Sequence, residues 1–84
     1  MYTQINESIK VGVVFDKTSN SKMRPVWFMR SGRKYTVKEI TFSWHAKNGE
    51  ATIHYFSVTD GSAVYEISFN DKTLNWLLGK VYVE

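Results

Sequence analysis

The sequence predicts an all-β fold: an antiparallel meander of about six strands, forming a curled sheet or a small, partly open barrel of the SH3-like kind. Three observations point there. Side chains change character with period two, as where Ile9, Val11, Val13 and Phe15 alternate with Lys10, Gly12, Val14 and Asp16. Turn dipeptides, Ser31-Gly32, Asn48-Gly49 and Asp60-Gly61, recur between β-rich runs. No segment requires a helix.

Residues 1–8 read as a frayed N-terminus before the first strand at 9–15. A polar loop is expected over 16–23. The second strand runs from about Arg24 to Arg30, with Pro25 near its start, where a missing amide hydrogen costs least. The three turn dipeptides then predict successive hairpins. Asn70-Asp71-Lys72-Thr73 is a fourth turn, before a last run from Leu74 to Val83, of which Leu74 to Leu78 also suits one short turn of helix.

Each dipeptide fixes a register if it supplies both central turn residues. Ser31-Gly32 sets Phe28 against Tyr35 and Val26 against Val37. Asn48-Gly49 sets Lys47 against Glu50, Trp44 against Ile53, Phe42 against Tyr55 and His45 against Thr52. Asp60-Gly61 sets Val58 against Ala63 and Phe56 against Tyr65. Two changes of phase interrupt the alternation, between Val37 and Ile40 and between Tyr55 and Phe56. Bulges near Lys38-Glu39 and near Tyr55-Phe56 would restore a common inner face. Trp44 and Trp76 are expected to anchor the core.

The chain is read as a single domain over residues 1–84. A hydrophobic fraction of 43% and an aromatic fraction of 15% suit a packed core and argue against disorder. No apolar run approaches the ~20 residues that cross a bilayer. Met1 to Ser8 lacks the basic-then-apolar layout of a secretory signal. With no cysteine, the chain fits a reducing compartment, and a cytoplasmic protein is expected.

Charge is strongly polarised. Lys17, Lys22, Arg24, Arg30, Arg33, Lys34 and Lys38 fall in one window without an acidic residue, giving +7; four Lys against eight Asp and Glu elsewhere leave −4. A concentrated positive segment attracts phosphates, nucleic acid or acidic protein surfaces. Arg30 and Arg33 should face each other across the Ser31-Gly32 turn. The pair either clamps an anion with the Gly32 backbone or is a solvated turn. Trp27 and Met29 point away from Val26 and Phe28. An exposed Trp beside Arg and Lys is the layout that stacks bases in single-strand binders; a covering segment or partner is the alternative. The candidate anion-binding residues are thus Lys22, Arg24, Trp27, Arg30, Arg33 and Lys34. His45 and His54 lie diagonally, too few for a metal site, so no metal or cofactor is expected. No nucleophile elbow, phosphate loop, zinc-protease helix or paired-carboxylate signature occurs, and an enzyme is not expected.

The string Arg24-Pro25-Val26-Trp27-Phe28, then Gly32-Arg33-Lys34-Tyr35-Thr36-Val37-Lys38-Glu39-Ile40 and Trp44, carries a resemblance. So do His54-Tyr55-Phe56-Ser57-Val58, Gly61, Val64-Tyr65-Glu66-Ile67, Asn70-Asp71, Trp76 and Val81-Tyr82. Together they resemble a family of small bacterial β-rich domains with a pattern near R-P-x-x-F-x-x-x-G-R-x-Y-x-V-x-x-I-x-x-x-W and no established activity. Its members are sometimes encoded beside translesion DNA polymerases, so the resemblance implies an accessory role in DNA repair. Trp27, Met29 and Ser31 stand where the most basic members tend to carry Arg.

The expected function is a non-enzymatic binding module for single-stranded nucleic acid or a phosphate backbone, held by the basic hairpin. The alternative is a protein-interaction or homodimerisation module. It would use the Trp27 face or an exposed edge strand, either 9–15 or 74–83.

Overall fold

The computed structural model describes residues 2–15 and 23–83. Seven strands form one antiparallel sheet: β1 (Tyr2–Phe15), β2 (Met23–Arg30), β3 (Arg33–Thr36), β4 (Glu39–Asn48), β5 (Ala51–Thr59), β6 (Val64–Asn70) and β7 (Asn75–Tyr82). The all-β expectation holds, and among the described residues there is no helix, so none long and apolar enough to cross a membrane. The expected frayed segment 1–8 is instead strand from Tyr2 onward, because Tyr2–Gln4 and Glu7–Ile9 pair with β7. The expected polar loop falls on residues outside those described, except Met23, which opens β2.

The order across the sheet is β3-β2-β1-β7-β6-β5-β4. Every strand pairs with its chain neighbour except β3 with β4, and β1 pairs with β7. The edge strands are β3 and β4. Segment 74–83 is not the expected edge, because β7 lies between β6 and the first half of β1, whereas among the described residues 10–15 pair with β2 alone. The expected third strand, Tyr35 to Trp44, is divided between those two edges. The Val37 amide donates to the Val26 carbonyl (3.0 Å), and the next amide, Lys38, donates to the Thr59 carbonyl (2.8 Å). Successive Cα atoms lie about 3.8 Å apart. Two consecutive residues thus bond to strands from opposite halves of the sheet, which requires the sheet to curl, although it does not close.

Bulges supply the bend, but not at the expected places. Pro25 and Phe28 are both buried although three residues apart. Val26 is the extra residue between Trp27, opposite Gly12, and Pro25, opposite Val13. Gly79 is extra against β6, where Glu66 pairs with Lys80 and Ile67 with Leu78. Thr41 is extra between Ile40 and Phe42. The expected bulge at Tyr55-Phe56 is absent, since pairing with both neighbours runs through it unbroken. Instead β5 is apolar on both faces: Phe56 and Val58 point inward, and Ile53 and Tyr55 outward.

The inner face carries the core of Phe28, Phe56, Val58, Tyr65, Ile67 and Leu78, with Ile9, Val11, Tyr35, Ile40 and Trp76 packed against it. Phe28 stacks on Tyr35 (5.0 Å, 8°) and meets Tyr65 edge-on. Trp44 is not a core residue. It lies on the outer face, stacked on Tyr55 (5.0 Å, 6°), with Phe42 at 5.4 Å.

Turn chemistry explains which registers match expectation. Ser31 and Gly32 both have positive φ (52° and 76°), and Phe28 faces Tyr35 as predicted. In the next hairpin only Gly49 has positive φ (64°), so Gly49 and Glu50 form the turn and Asn48 faces Ala51. A turn with glycine at its first central position needs no left-handed Asn. The whole register moves: Trp44 faces Tyr55, and His45 faces His54. In the third, Asp60 spreads the loop over residues 60–63. Its Oδ1 accepts from the amides of Ser62 (2.9 Å) and Ala63 (3.1 Å), and its Oδ2 from the Tyr65 hydroxyl (3.0 Å). Val58 consequently faces Tyr65, and Phe56 faces Ile67. Burial pushes the Asp60 carboxyl up, but these bonds together outweigh it and hold it below the ordinary carboxylate range. Burial, then the bond to Asp60, pushes the Tyr65 hydroxyl up to about 12. The turn before β7 is built on Asn70, whose Oδ1 accepts from the amides of Lys72 (2.9 Å) and Thr73 (3.1 Å).

Candidate nucleic-acid interface

The pleat of the β2–β3 hairpin sorts the expected site residues onto two faces. Past the Val26 bulge, Phe28 and Arg30 share the inner face, so Trp27 and Met29 share the outer one. On β3, Arg33 and Tyr35 point inward and Lys34 and Thr36 outward. The contacts agree: Arg33 Cζ sits 5.3 Å from the Tyr35 ring centroid, and Lys34 Nζ sits 5.1 Å from that of Trp27.

Arg30 and Arg33 are directly opposite, as predicted. They are not both free to grip an anion, because Arg30 Nε donates to Glu7 Oε2 of β1 (3.3 Å). Glu7 thus offsets the like-charge repulsion at the turn. Glu7 lies outside the basic window, and only the β1–β2 pairing brings it there.

The outer face is the more coherent cationic surface. Lys10, Met29 and Lys34 form one cross-strand row over β1, β2 and β3. The adjacent row is Gly12, Trp27 and Thr36, and beyond the bulge Val14 faces Arg24, both exposed. A side chain at Gly12 would meet the Trp27 indole at 2.1 Å, so the indole lies flat across the bare Gly12 backbone. Gly12 thereby fixes Trp27 as a platform: one ring face on β1, the other beneath the Lys34 ammonium. Beside it, a groove of about 430 Å³ runs from Lys10 past Met29 and Arg30 to Gly32.

The structure therefore brings together Arg24, Trp27 and Lys34, and it sets Arg30 and Arg33 on the other face at the hairpin tip. Lys22 lies outside the described residues. Lys10 belongs with the outer group and escapes a reading by charge density, since it stands apart from the basic window. Its signal is the alternation of β1, which places Lys10 and Gly12 on the same face. His45 and His54 face each other, with ring centroids 6.2 Å apart, and His54 Nε2 is 3.6 Å from Asp71 Oδ2. Among the described residues no group of three His, Asp or Glu is placed to hold a metal ion.

No protein-family model, curated protein or solved structure gives a significant match to this chain.

Proposed function

We propose that this protein is a non-enzymatic binding module that holds single-stranded nucleic acid on the outer face of β1, β2 and β3. A cysteine-free chain suits a cytoplasmic setting for that role. The observation that carries the reading is the Trp27 platform, seated on Gly12, covered by Lys34 and flanked by Lys10 and Arg24. An exposed cation–π contact stabilises by only ~0.5–1 kcal/mol, whereas a base stacked on an aromatic ring contributes ~1–3 kcal/mol. A base therefore displaces the Lys34 ammonium from the indole and leaves it free to meet a backbone phosphate. Lys10 and Arg24, to either side, extend the charge along the strand direction.

The test is a fluorescence-anisotropy titration of a labelled single-stranded oligonucleotide over a salt series. Log affinity should fall with log salt, by about 0.7 per phosphate contacted. Lys10→Ala/Lys34→Ala should reduce that slope, and Trp27→Ala should lower affinity without changing it. Absence of binding at low salt overturns the reading. An acidic protein surface as the true partner would respond to the Lys variants and ignore Trp27→Ala.

A further inference from the structure

β4 is a long edge strand whose protections, the bulge at Thr41 and the charges of Glu39 and Lys47, lie toward its ends and leave residues 42–46 open. It is ten residues long, contains no proline, and every residue from Thr41 to Glu50 is exposed. Among the described residues nothing pairs with its outer side. Natural edges are commonly kept short, charged or covered, because an unpaired row of N–H and C=O groups is a template for another strand. Asn48 and Ala51 close a two-residue turn and so form a hydrogen-bonded pair. By alternation Trp44 and Ala46 bond to β5, and Ser43, His45 and Lys47 turn their backbone groups to the free edge. Beside that edge Phe42 is 64% exposed and Trp44 37%, large areas for aromatic rings, with Phe42 against Trp44 and Trp44 stacked on Tyr55.

We infer that a second copy of this chain covers this edge, its β4 antiparallel to the first about a two-fold axis at Ser43. The sequence of β4 is self-complementary about that residue. Phe42 meets the second copy's Trp44 and Trp44 its Phe42, which places two aromatic pairs beside the axis. Such reciprocity, residue i with j and j with i, is what a two-fold interface requires and what an unrelated partner does not. The cationic hairpin belongs to the other edge, so pairing does not force like charges together. This inference does not depend on nucleic-acid binding.

The experiment is sedimentation equilibrium of the full chain across a concentration series, without nucleic acid. A reversible dimer is expected. Phe42→Lys should weaken it by about ten-fold or more, since both aromatic pairs are lost. Ser43→Pro should abolish it while the far-ultraviolet spectrum stays that of the parent, because the amide removed faces outward. The chain has no cysteine, so Ser43→Cys supplies a single thiol. Under oxidation it should cross-link across the axis. Lys47→Cys should not, because that register holds its two thiols about 26 Å apart. A monomer at every concentration, or a dimer indifferent to Phe42→Lys and cross-linked through Lys47→Cys, overturns the inference.

Discussion

β3 and β4 come from one stretch of chain and lie at opposite edges of one sheet, yet they differ in length, charge and treatment of aromatic rings. β3 has four residues, two of them cationic, and its Tyr35 is packed inward on Phe28. β4 has ten, and its Phe42 and Trp44 lie outward. The division falls at Val37 and Lys38, where the chain leaves the ladder of β2 and joins that of β5. The inward positions switch from Tyr35 and Val37 to Ile40 across that division, and the bulge at Thr41 then turns Phe42 and Trp44 out. A single inserted residue thus separates a core-building edge from a surface-building one.

The largest expected effect breaks that contrast at two phenylalanines. Phe28 is 1% exposed and Phe42 64%. Phe28→Ala should cost about 3–5 kcal/mol in urea unfolding, and with it most of the stability of a chain this small. Phe42→Ala should shift stability by no more than about 0.5 kcal/mol while weakening self-association. Equal costs would mean that Phe42 is packed.

The platform of the β3 side is tested at Gly12. A methyl group there collides with the indole, so Gly12→Ala must lift Trp27 off β1. Expected are a loss of about 1–2 kcal/mol in thermal unfolding and weaker oligonucleotide binding, with self-association through β4 untouched.

The joint between the edges is held by the loop after β5, where Lys38 packs on Gly61 and Tyr65 bonds to Asp60. Tyr65→Phe should cost about 1–2 kcal/mol, because the bond is to a carboxylate. The parent's pH profile follows from two opposite shifts. Tyr65 has a raised folded value, so its contribution is whole below pH 10 and is lost as pH rises from there towards about 12. Asp60 has a lowered one, so its contribution is present above the usual 3.8 and lost as pH falls below that. Denaturation followed by circular dichroism should therefore show an alkaline loss of stability that Tyr65→Phe removes.

The smallest effect sharpens the electrostatics of the hairpin tip. Glu7→Gln releases Arg30 from a partly exposed ion pair, worth ~0.2–1 kcal/mol. Stability should barely change, and oligonucleotide affinity at low salt should rise by a factor of about two.

How much of this was legible depended on whether the deciding interaction was local. The Ser31-Gly32 hairpin was readable down to Arg30 facing Arg33, because Gly32 and the flanking β residues suffice to set the turn. Asn48-Gly49 was not: the same dipeptide serves two turn types, and stacking of Trp44 on Tyr55 accompanies the one that moves the register. Asp60-Gly61 misled for another reason, since the Asp60 side chain binds two amides and builds a wider loop. The pairing of β1 with β7 joins residues some 67 to 80 positions apart, and no local pattern announces it. The separate pairing of β1 with β2 brings Lys10, Gly12 and Glu7 to the hairpin. No turn dipeptide marks that pairing either, so the part of the candidate site that β1 supplies was not legible. The two-face alternation of β5 was hidden because an apolar residue looks like core on either face.

One titration tests most directly whether the two edges act separately: labelled single strand against the Phe42→Lys variant and the Lys10→Ala/Lys34→Ala variant, each over a salt series. The expected result is parent-like affinity and salt slope for Phe42→Lys, with both reduced for the double variant. Loss of binding in Phe42→Lys, or an unchanged slope in the double variant, would contradict the assignment of the β1–β3 face to nucleic acid.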